Sequence, residues 1–337
     1  MSADGRLPTR FLGRARLPVT SLGFGAASLG GLYAPLGDDE AHATLEAAWE
    51  AGIRYFDTAP HYGVGLSEER LGRFLADKPR GSYVVSTKVG RLLVPHDGPA
   101  ADVQGIAGFY GTPNRVRVTD HSGEGALRSL DESLRRLGLD HVDIVFLHDP
   151  EDHVEQALGE AYPVLERLRA EGVVGSVGVG TNHTAVPARF VRETDVDCLL
   201  IAGRYTLLDA GAARELFPLC QQRGVDIVGA GVFNSGLLAA PGPGAPFDYS
   251  AAPEHLLRRA QRIAAVCTRH DVTLAAAALA FPGRHPVVRT VLAGMRTPDE
   301  VRQNIAAVRA PVPEELWADL AAKGLLPEGS AVPEVTS

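Results

Sequence analysis

Ala51-Gly-Ile-Arg-Tyr-Phe-Asp57-Thr-Ala-Pro-His-Tyr62-Gly-Val-Gly-Leu-Ser67-Glu-Glu-Arg-Leu-Gly72 reads as one strand-loop-helix unit. Ile53 to Phe56 is a short apolar strand ending in the carboxylate of Asp57. A loop punctuated by Gly and Pro carries Tyr62, and a helix begins near Ser67. A carboxylate at a strand's end and a phenol on the next loop suggest a site at the mouth of a βα unit.

Working outward, the same alternation recurs. Towards the N-terminus, Phe11 to Gly31 suggests a small hairpin and then a first strand ending near Gly25. Asp38 is placed to cap a helix whose Ala41, Leu45, Ala48 and Trp49 fall at helical spacing. Towards the C-terminus, Tyr83 to Lys88 is a third strand, and Val89 to Asp120, rich in Gly and Pro without a clear period, reads as a long loop. Loops of that length are uncommon unless functional. Leu127, Leu130, Leu134 and Leu137 mark one face of a helix over Gly123 to Leu137, and Val142 to His148 is a nearly continuous apolar strand. Further strands are expected at Gly175–Gly180, Val196–Ala202, Asp226–Ala230 and Val287–Leu292, and helices at Val154–Glu171, Ala185–Glu193, Ala212–Arg223 and Glu254–His270. Leu274–Phe281, Pro298–Val308 and Pro313–Ala322 complete the helices, with a Gly/Pro/Ala-rich loop over Gly236–Pro253.

About eight apolar strands, each followed by an amphipathic helix, argue for a parallel sheet covered on both faces and closed into a (β/α)8 TIM barrel. The expected domain is a single barrel over residues 1–326, with 327–337 a disordered tail. A doubly wound open sheet would need a G-x-G-x-x-G turn, and Gly23-Phe-Gly25 is followed by Ala-Ala-Ser.

The 337 residues are 45% hydrophobic and 22% charged, enough for a sizeable core. A net charge of −8 disfavours nucleic acid or an anionic membrane as partner. No apolar run approaches the ~20 residues that span a bilayer. Met1 to Arg10 has no apolar segment of the secretory kind, so a cytoplasmic protein is expected. Cys198, Cys220 and Cys267 form no C-x-x-C pair and read as buried thiols. No His/Cys/Asp cluster has metal-ligand spacing, so no metal is expected.

In a parallel barrel the active site lies at the C-terminal ends of the strands. Asp57, Lys88 and His148 sit at those ends, and Tyr62 just beyond the first. Singly each has an ordinary reading: a turn cap, a loop packing residue, a solvated lysine, a core histidine. Together they fit proton transfer coupled to hydride transfer. A phenol with a pKa of ~10 exchanges protons slowly at neutral pH. An ammonium nearby is expected to lower that pKa, with Asp57 holding Lys88 and His148 orienting the substrate oxygen. Tyr62 is then the general acid for carbonyl reduction, or the base for alcohol oxidation.

Gly52-Ile-Arg-Tyr-Phe-Asp57-Thr-Ala-Pro-His-Tyr62-Gly, Ser86-Thr-Lys88, Ser129-Leu-Asp-Glu-Ser-Leu-Arg-Arg-Leu-Gly138 and Val142-Asp-Ile-Val-Phe-Leu-His148 together resemble the aldo-keto reductase superfamily, from about Phe11 to Val308. The resemblance implies a barrel, a nicotinamide cofactor (NAD or NADP), and Asp57, Tyr62, Lys88 and His148 as catalytic tetrad. Ala202-Gly-Arg-Tyr-Thr-Leu-Leu208, Val232-Phe-Asn-Ser-Gly-Leu-Leu238 and His148-Asp-Pro150 look like the aldose 1-dehydrogenase and pyridoxal 4-dehydrogenase branch, which oxidises an anomeric-type carbon to a lactone.

The resemblance also implies a cofactor site. Asn182, with Thr181, would hold the nicotinamide carboxamide. Ala202 stands where the wider family has a glutamine, and Ala230 where an aromatic stacks, so Tyr205 or Phe233 is the candidate to fill that gap. Gly25 joins the set at the first strand's end. Val232, Phe233, Asn234, Ser235 and Gly236 form a loop of small residues whose backbone N–H groups suit a pyrophosphate. Gly294 and Glu300 stand where NADP-preferring relatives carry cations, which favours NAD. Arg296 and Arg302 speak for NADP, and Asn304 would reach the adenine. Tyr33 and Arg204 are substrate-pocket candidates beside Tyr62 and His148, while His96 and His121 read as solvated loop residues. Beside aldose oxidation stand reduction of small aldehydes or ketones, pyridoxal dehydrogenation, and a cofactor-sensing protein without turnover.

Overall fold

The computed structural model describes residues 7–98, 108–248 and 250–330. The chain opens with an antiparallel hairpin, β1 (Thr9–Leu12) and β2 (Leu17–Thr20). Barrel strands β3 (Leu22–Gly25), β4 (Tyr55–Asp57) and β5 (Val84–Val89) follow. A second antiparallel hairpin, β6 (Arg91–Pro95) and β7 (Arg115–Thr119), leads to β8 (Ile144–His148), β9 (Ser176–Thr181), β10 (Cys198–Ala202) and β11 (Asp226–Ala230). A short ribbon, β12 (Pro246–Phe247) and β13 (Ser250–Ala251), precedes β14 (Val288–Gly294). β3, β4, β5, β8, β9, β10, β11 and β14 form a closed barrel in which every neighbouring pair is parallel, β14 closing on β3.

The continuous apolar strands are continuous because both faces are covered. All five residues of β8 are buried. Tyr55, Val84, Ile144, Phe146, Cys198 and Leu200 fill the barrel's interior, while a larger core lies between strands and helices. Leu12 and Val19 of the first hairpin join the interior cluster from below, and Gly13 N–H donates to Asp226 at 2.8 Å. The hairpin thereby plugs the N-terminal end. Burying each such aliphatic side chain contributes about 1.5–3 kcal/mol.

Helix α1 (Asp38–Glu50) is preceded by Gly37, and Asp38 takes Arg70 and Arg73 instead of capping it. Its three first-turn carboxylates, Asp38, Asp39 and Glu40, suit the positive end of the helix dipole. α2 (Leu66–Leu75) starts at Gly65, φ 94°, and packs on α3 (Gly123–Leu137) through Gly72. α3 is capped by Ser122 and stopped by Gly138 at φ 63°. Leu130 and Leu137 are buried, but Leu127 is on the solvent side. The expected helix over Val154–Glu171 contains a π-helical turn at Ala157–Ala161, just before Pro163, which has no N–H for the helical ladder. The one expected over Ala212–Arg223 is two pieces, Gly211–Arg214 and Leu216–Arg223.

The expected loop Val89–Asp120 is corrected most. Its ends pair as β6 and β7, and Leu32 bridges to Phe109 between them. Residues 327–330 form a turn, and 331–337 of the expected tail lie outside the described residues. Cys198, Cys220 and Cys267 are buried thiols without a disulfide. Among the described residues no single helix is long and apolar enough to cross a membrane.

Candidate active site

Adjacent strands β4, β5 and β8 deliver Asp57, Lys88 and His148 to one rim. Lys88 is 1% exposed, with Nζ 2.6 Å from Asp57 Oδ2 and 2.9 Å from the Thr58 carbonyl. It also lies 4.8 Å from the centroid of the Tyr62 ring. Ser86 donates to the other Asp57 oxygen at 2.7 Å and meets the Tyr55 hydroxyl at 3.1 Å. The His148 ring stands edge-on to Tyr62, with centroids 6.0 Å apart.

The Tyr62 loop is held by backbone contact. Gly63 has φ 61°, and a Cβ there would lie 2.3 Å from the Gly30 carbonyl oxygen. Ser67 donates to the Ala26 carbonyl at 2.7 Å and meets Thr58 at 2.8 Å. From β7, Arg117 donates to the His61 carbonyl at 2.6 Å. Phe109 stacks on Tyr62 at 6.2 Å and 26°. Below these groups lies a cavity of about 230 Å³, bounded by Tyr62, Lys88, Phe109 and His148 on one side and by Gly180, Asn182 and Ala202 on the other. A larger cavity, about 310 Å³, lies at the barrel's opposite end beside Ser21 and Val288. Of its arginines, Arg284 is bound to Glu314 and Arg289 to Asp226.

Burial shifts Asp57, Tyr62 and His148 towards their neutral forms. It raises the Asp57 carboxyl, opposed by the charge and hydrogen bond of Lys88. It holds the Tyr62 phenol well above its ordinary value, and the carboxylates of Asp57 and Asp149 add to the rise. The expected lowering by Lys88 is therefore not seen, because burial of the phenol dominates and Asp57 offsets the lysine's charge from 2.6 Å. His148 lies well below the usual imidazole range, through burial first and then Arg91 and Lys88. A protonated phenol and a neutral imidazole face one cavity, an arrangement suited to giving a proton to a bound oxygen.

The Aldo/keto reductase family profile matches residues 21–324. This chain belongs to the aldo/keto reductase family. It is 48% identical to a D-threo-aldose 1-dehydrogenase of Pseudomonas sp, over 93% of this chain and 96% of the relative. It is 42% identical to a pyridoxal 4-dehydrogenase of Microbacterium luteolum, over 94% and 97% of the two chains. An L-galactose dehydrogenase of Arabidopsis thaliana shares 34%, over 90% and 88%. Among solved structures, an aldo-keto reductase from Bacillus halodurans superposes with a TM-score of 0.72 at 27% identity, covering 98% of this chain and 99% of that one. The protein is thus an oxidoreductase of a family that works with nicotinamide cofactors.

The remaining expected aldo/keto reductase residues divide into those that reach the cavity and those that do not. Asn182 lines it, and among the described residues its side-chain amide has no partner while its backbone carbonyl accepts from Arg204. Thr181 lines it too, bonded to Glu151 and accepting from His183 N–H. A Cβ on Gly180 would lie 3.5 Å from Lys88 Cε, so glycine keeps that wall low. The open amide and the low wall beside the tetrad fit a nicotinamide. Gly25 and Gly294 pair at the ends of β3 and β14.

Tyr205 packs on Phe217 and Phe281 in the helix layer, at 4.7 and 5.0 Å, and leaves the stacking position unfilled. Phe233 also packs against that outer core. Asn234, Ser235 and Gly236 all have positive φ, but the N–H groups of Asn234, Gly236 and Leu237 bond to carbonyls within their own turn. The Val232–Gly236 amides therefore do not form the expected open cradle in full. Tyr33 hydrogen-bonds Ser235 instead of facing the cavity. Arg204 is a loop clasp, holding the Asn182 carbonyl at 2.6 Å, Asp248 at 2.7 Å and Asp209 at 3.2 Å. Arg296 holds the carbonyls of Leu32, Ala34 and Pro35, and Glu300 accepts from Arg296 N–H at 2.7 Å. Asn304 is half-buried on the helix Pro298–Arg309.

Sequence reading assigned no role to His61, Arg91, Phe109 or Asp149, all of which belong to the site. Only Asp149 carried a signal, as the residue after His148. His121, expected in solvent, is fully buried with neither ring nitrogen partnered.

Proposed function

We propose that this protein oxidises an aldose, in its cyclic hemiacetal form, at the anomeric carbon to a lactone, with NAD preferred over NADP. The observation that carries the reading is the 48% likeness to a D-threo-aldose 1-dehydrogenase along nearly both whole chains. The assembled tetrad supports it. In the proposed reaction Tyr62, once ionised to the phenolate, takes the proton of the anomeric hydroxyl as the carbon gives up its hydride. Neutral His148 holds that oxygen, and Asp57 keeps Lys88 charged beside the phenol. A bound nicotinamide supplies the hydride acceptor, with Asn182 its partner at the carboxamide.

The preference for NAD rests on the two arginines that argue for NADP. Arg296 is engaged by three carbonyls and Arg302 by Asp299. Arg296 is thus not left to pair with a 2′-phosphate, Arg302 stands in an exposed surface pair, and Glu300 would repel a phosphate. A cytosolic location accords with three buried thiols and no disulfide.

Pyridoxal is the second reading, favoured by the 42% likeness to a pyridoxal 4-dehydrogenase. Initial rates with NAD and NADP against L-fucose, L-galactose, D-arabinose and pyridoxal separate the two. Oxidation of a sugar above pyridoxal, faster with NAD, is the expected result. Reduction of aldehydes alone would remove the sugar reading. Cofactor binding without any turnover would move the protein to a sensing role.

A further inference from the structure

One wall of the cavity is made of polar side chains that the tetrad does not use. Arg91, the first residue of β6, donates to Asp149 Oδ2 at 2.7 Å, and its other terminal nitrogen lies 2.5 Å from His61 Nδ1. A guanidinium only donates, so Nδ1 accepts and the proton of the neutral ring sits on Nε2. Burial, Arg91 and Arg117 all favour that neutral ring. His61 lines the cavity, and among the described residues its Nε2 has no partner. Asp149 lines it too, with Oδ2 3.6 Å from His148 Nε2 and Oδ1 neither bonded nor enclosed. Its φ of 44° is the left-handed conformation, fixed by its N–H on the Gly180 carbonyl at 3.0 Å.

The wall therefore offers one fixed acceptor and one fixed donor beside the group that orients the reacting oxygen. We propose that Asp149 and His61, positioned by Arg91, are specificity-determining contacts that bind hydroxyl groups next to the reacting carbon. A hydroxyl both donates and accepts, so a polyhydroxylated substrate satisfies the carboxylate and the N–H together. A substrate without hydroxyls buries both unpaired and is rejected for that reason. The inference rests on the proposed sugar reading and names how that substrate class is selected.

The test compares substrates that differ only in hydroxyl groups, using the full chain with its nicotinamide cofactor. The pairs are glyceraldehyde against propionaldehyde in reduction, and L-galactose against its 2-deoxy counterpart in oxidation. Asp149→Asn keeps the shape and tolerates the left-handed backbone. It is expected to lower the ratio of kcat/KM between hydroxylated and hydroxyl-free partners at least tenfold, mainly through KM. His61→Phe and Arg91→Met are expected to lower the same ratio. An equal fall for both members of a pair, or an unchanged ratio, overturns the proposal. If no aldose is oxidised but the glyceraldehyde preference is present and lost in Asp149→Asn, the contact stands and the sugar reading falls. If aldoses are oxidised and no variant moves the ratio, the sugar reading stands and the contact falls.

Discussion

Lys88 pairs with Asp57 at 2.6 Å in a fully buried setting, and the ring of Tyr62 lies over it. Tyr62→Phe removes the phenol proposed to exchange the proton and leaves the ring's packing on Phe109. Its kcat is expected to fall about 10²–10⁴-fold with KM little changed, by steady-state kinetics. The pH dependence follows from the same burial. Oxidation needs the phenolate, and its pKa is held above the ordinary ~10. Oxidation kcat/KM should climb throughout pH 7 to 10, while reduction, which needs the phenol, stays level over that range. A flat oxidation profile would contradict the assignment. His121 gives a separate test. Burial, with His153 and Arg91, lowers it to about 4 from 6.5. Below pH 6.5 the unfolded chain binds the proton first, so stability is lost as pH falls from 6.5 towards 4. At pH 5 the loss is about 2 kcal/mol. Melting at pH 7 and pH 5, with an NMR titration of His121, reads both. The tetrad was legible in the sequence because Asp57, Lys88 and His148 end or nearly end apolar strands and Tyr62 lies on the loop after the first of them. The fates of Tyr205, Arg204 and Arg296 were not, because their partners lie on other loops and only closure of the barrel brings them together.

At the scale of elements, the loop carrying Tyr62 depends on the close approach of Gly63 to Gly30. Gly63→Ala places a methyl group 2.3 Å from a carbonyl oxygen at a positive φ. The loop must shift, and kcat for any substrate is expected to drop at least tenfold with the barrel still folded by circular dichroism. Strands and helices of the barrel were legible because burial on both faces writes continuous apolar runs. The β6–β7 hairpin was not. It stands apart from the barrel sheet with β7 half-exposed, so its apolar pattern is weak, and its paired ends are far apart in sequence. Its arginines nevertheless fasten the catalytic loop, Arg117 on the His61 carbonyl and Arg115 on that of Val64.

For the whole molecule, a ligand that binds only the folded state raises stability by about 2.7 kcal/mol at a hundred times its Kd. NAD at millimolar concentration is expected to raise Tm by more than NADP does. The reverse order would overturn the preference for NAD. The hairpin of β1 and β2 bears on turnover as well as on stability. Leu12→Ala should cost about 2–5 kcal/mol in a denaturant titration. Side chains fill the barrel's interior and that hairpin covers its far end, so the site is approached from the C-terminal rim. If cofactor and substrate both enter by that rim, the one seated deeper is expected to bind first and leave last, an order that product-inhibition kinetics reads. Turnover is then a queue in which the shallower guest comes and goes while the deeper one waits.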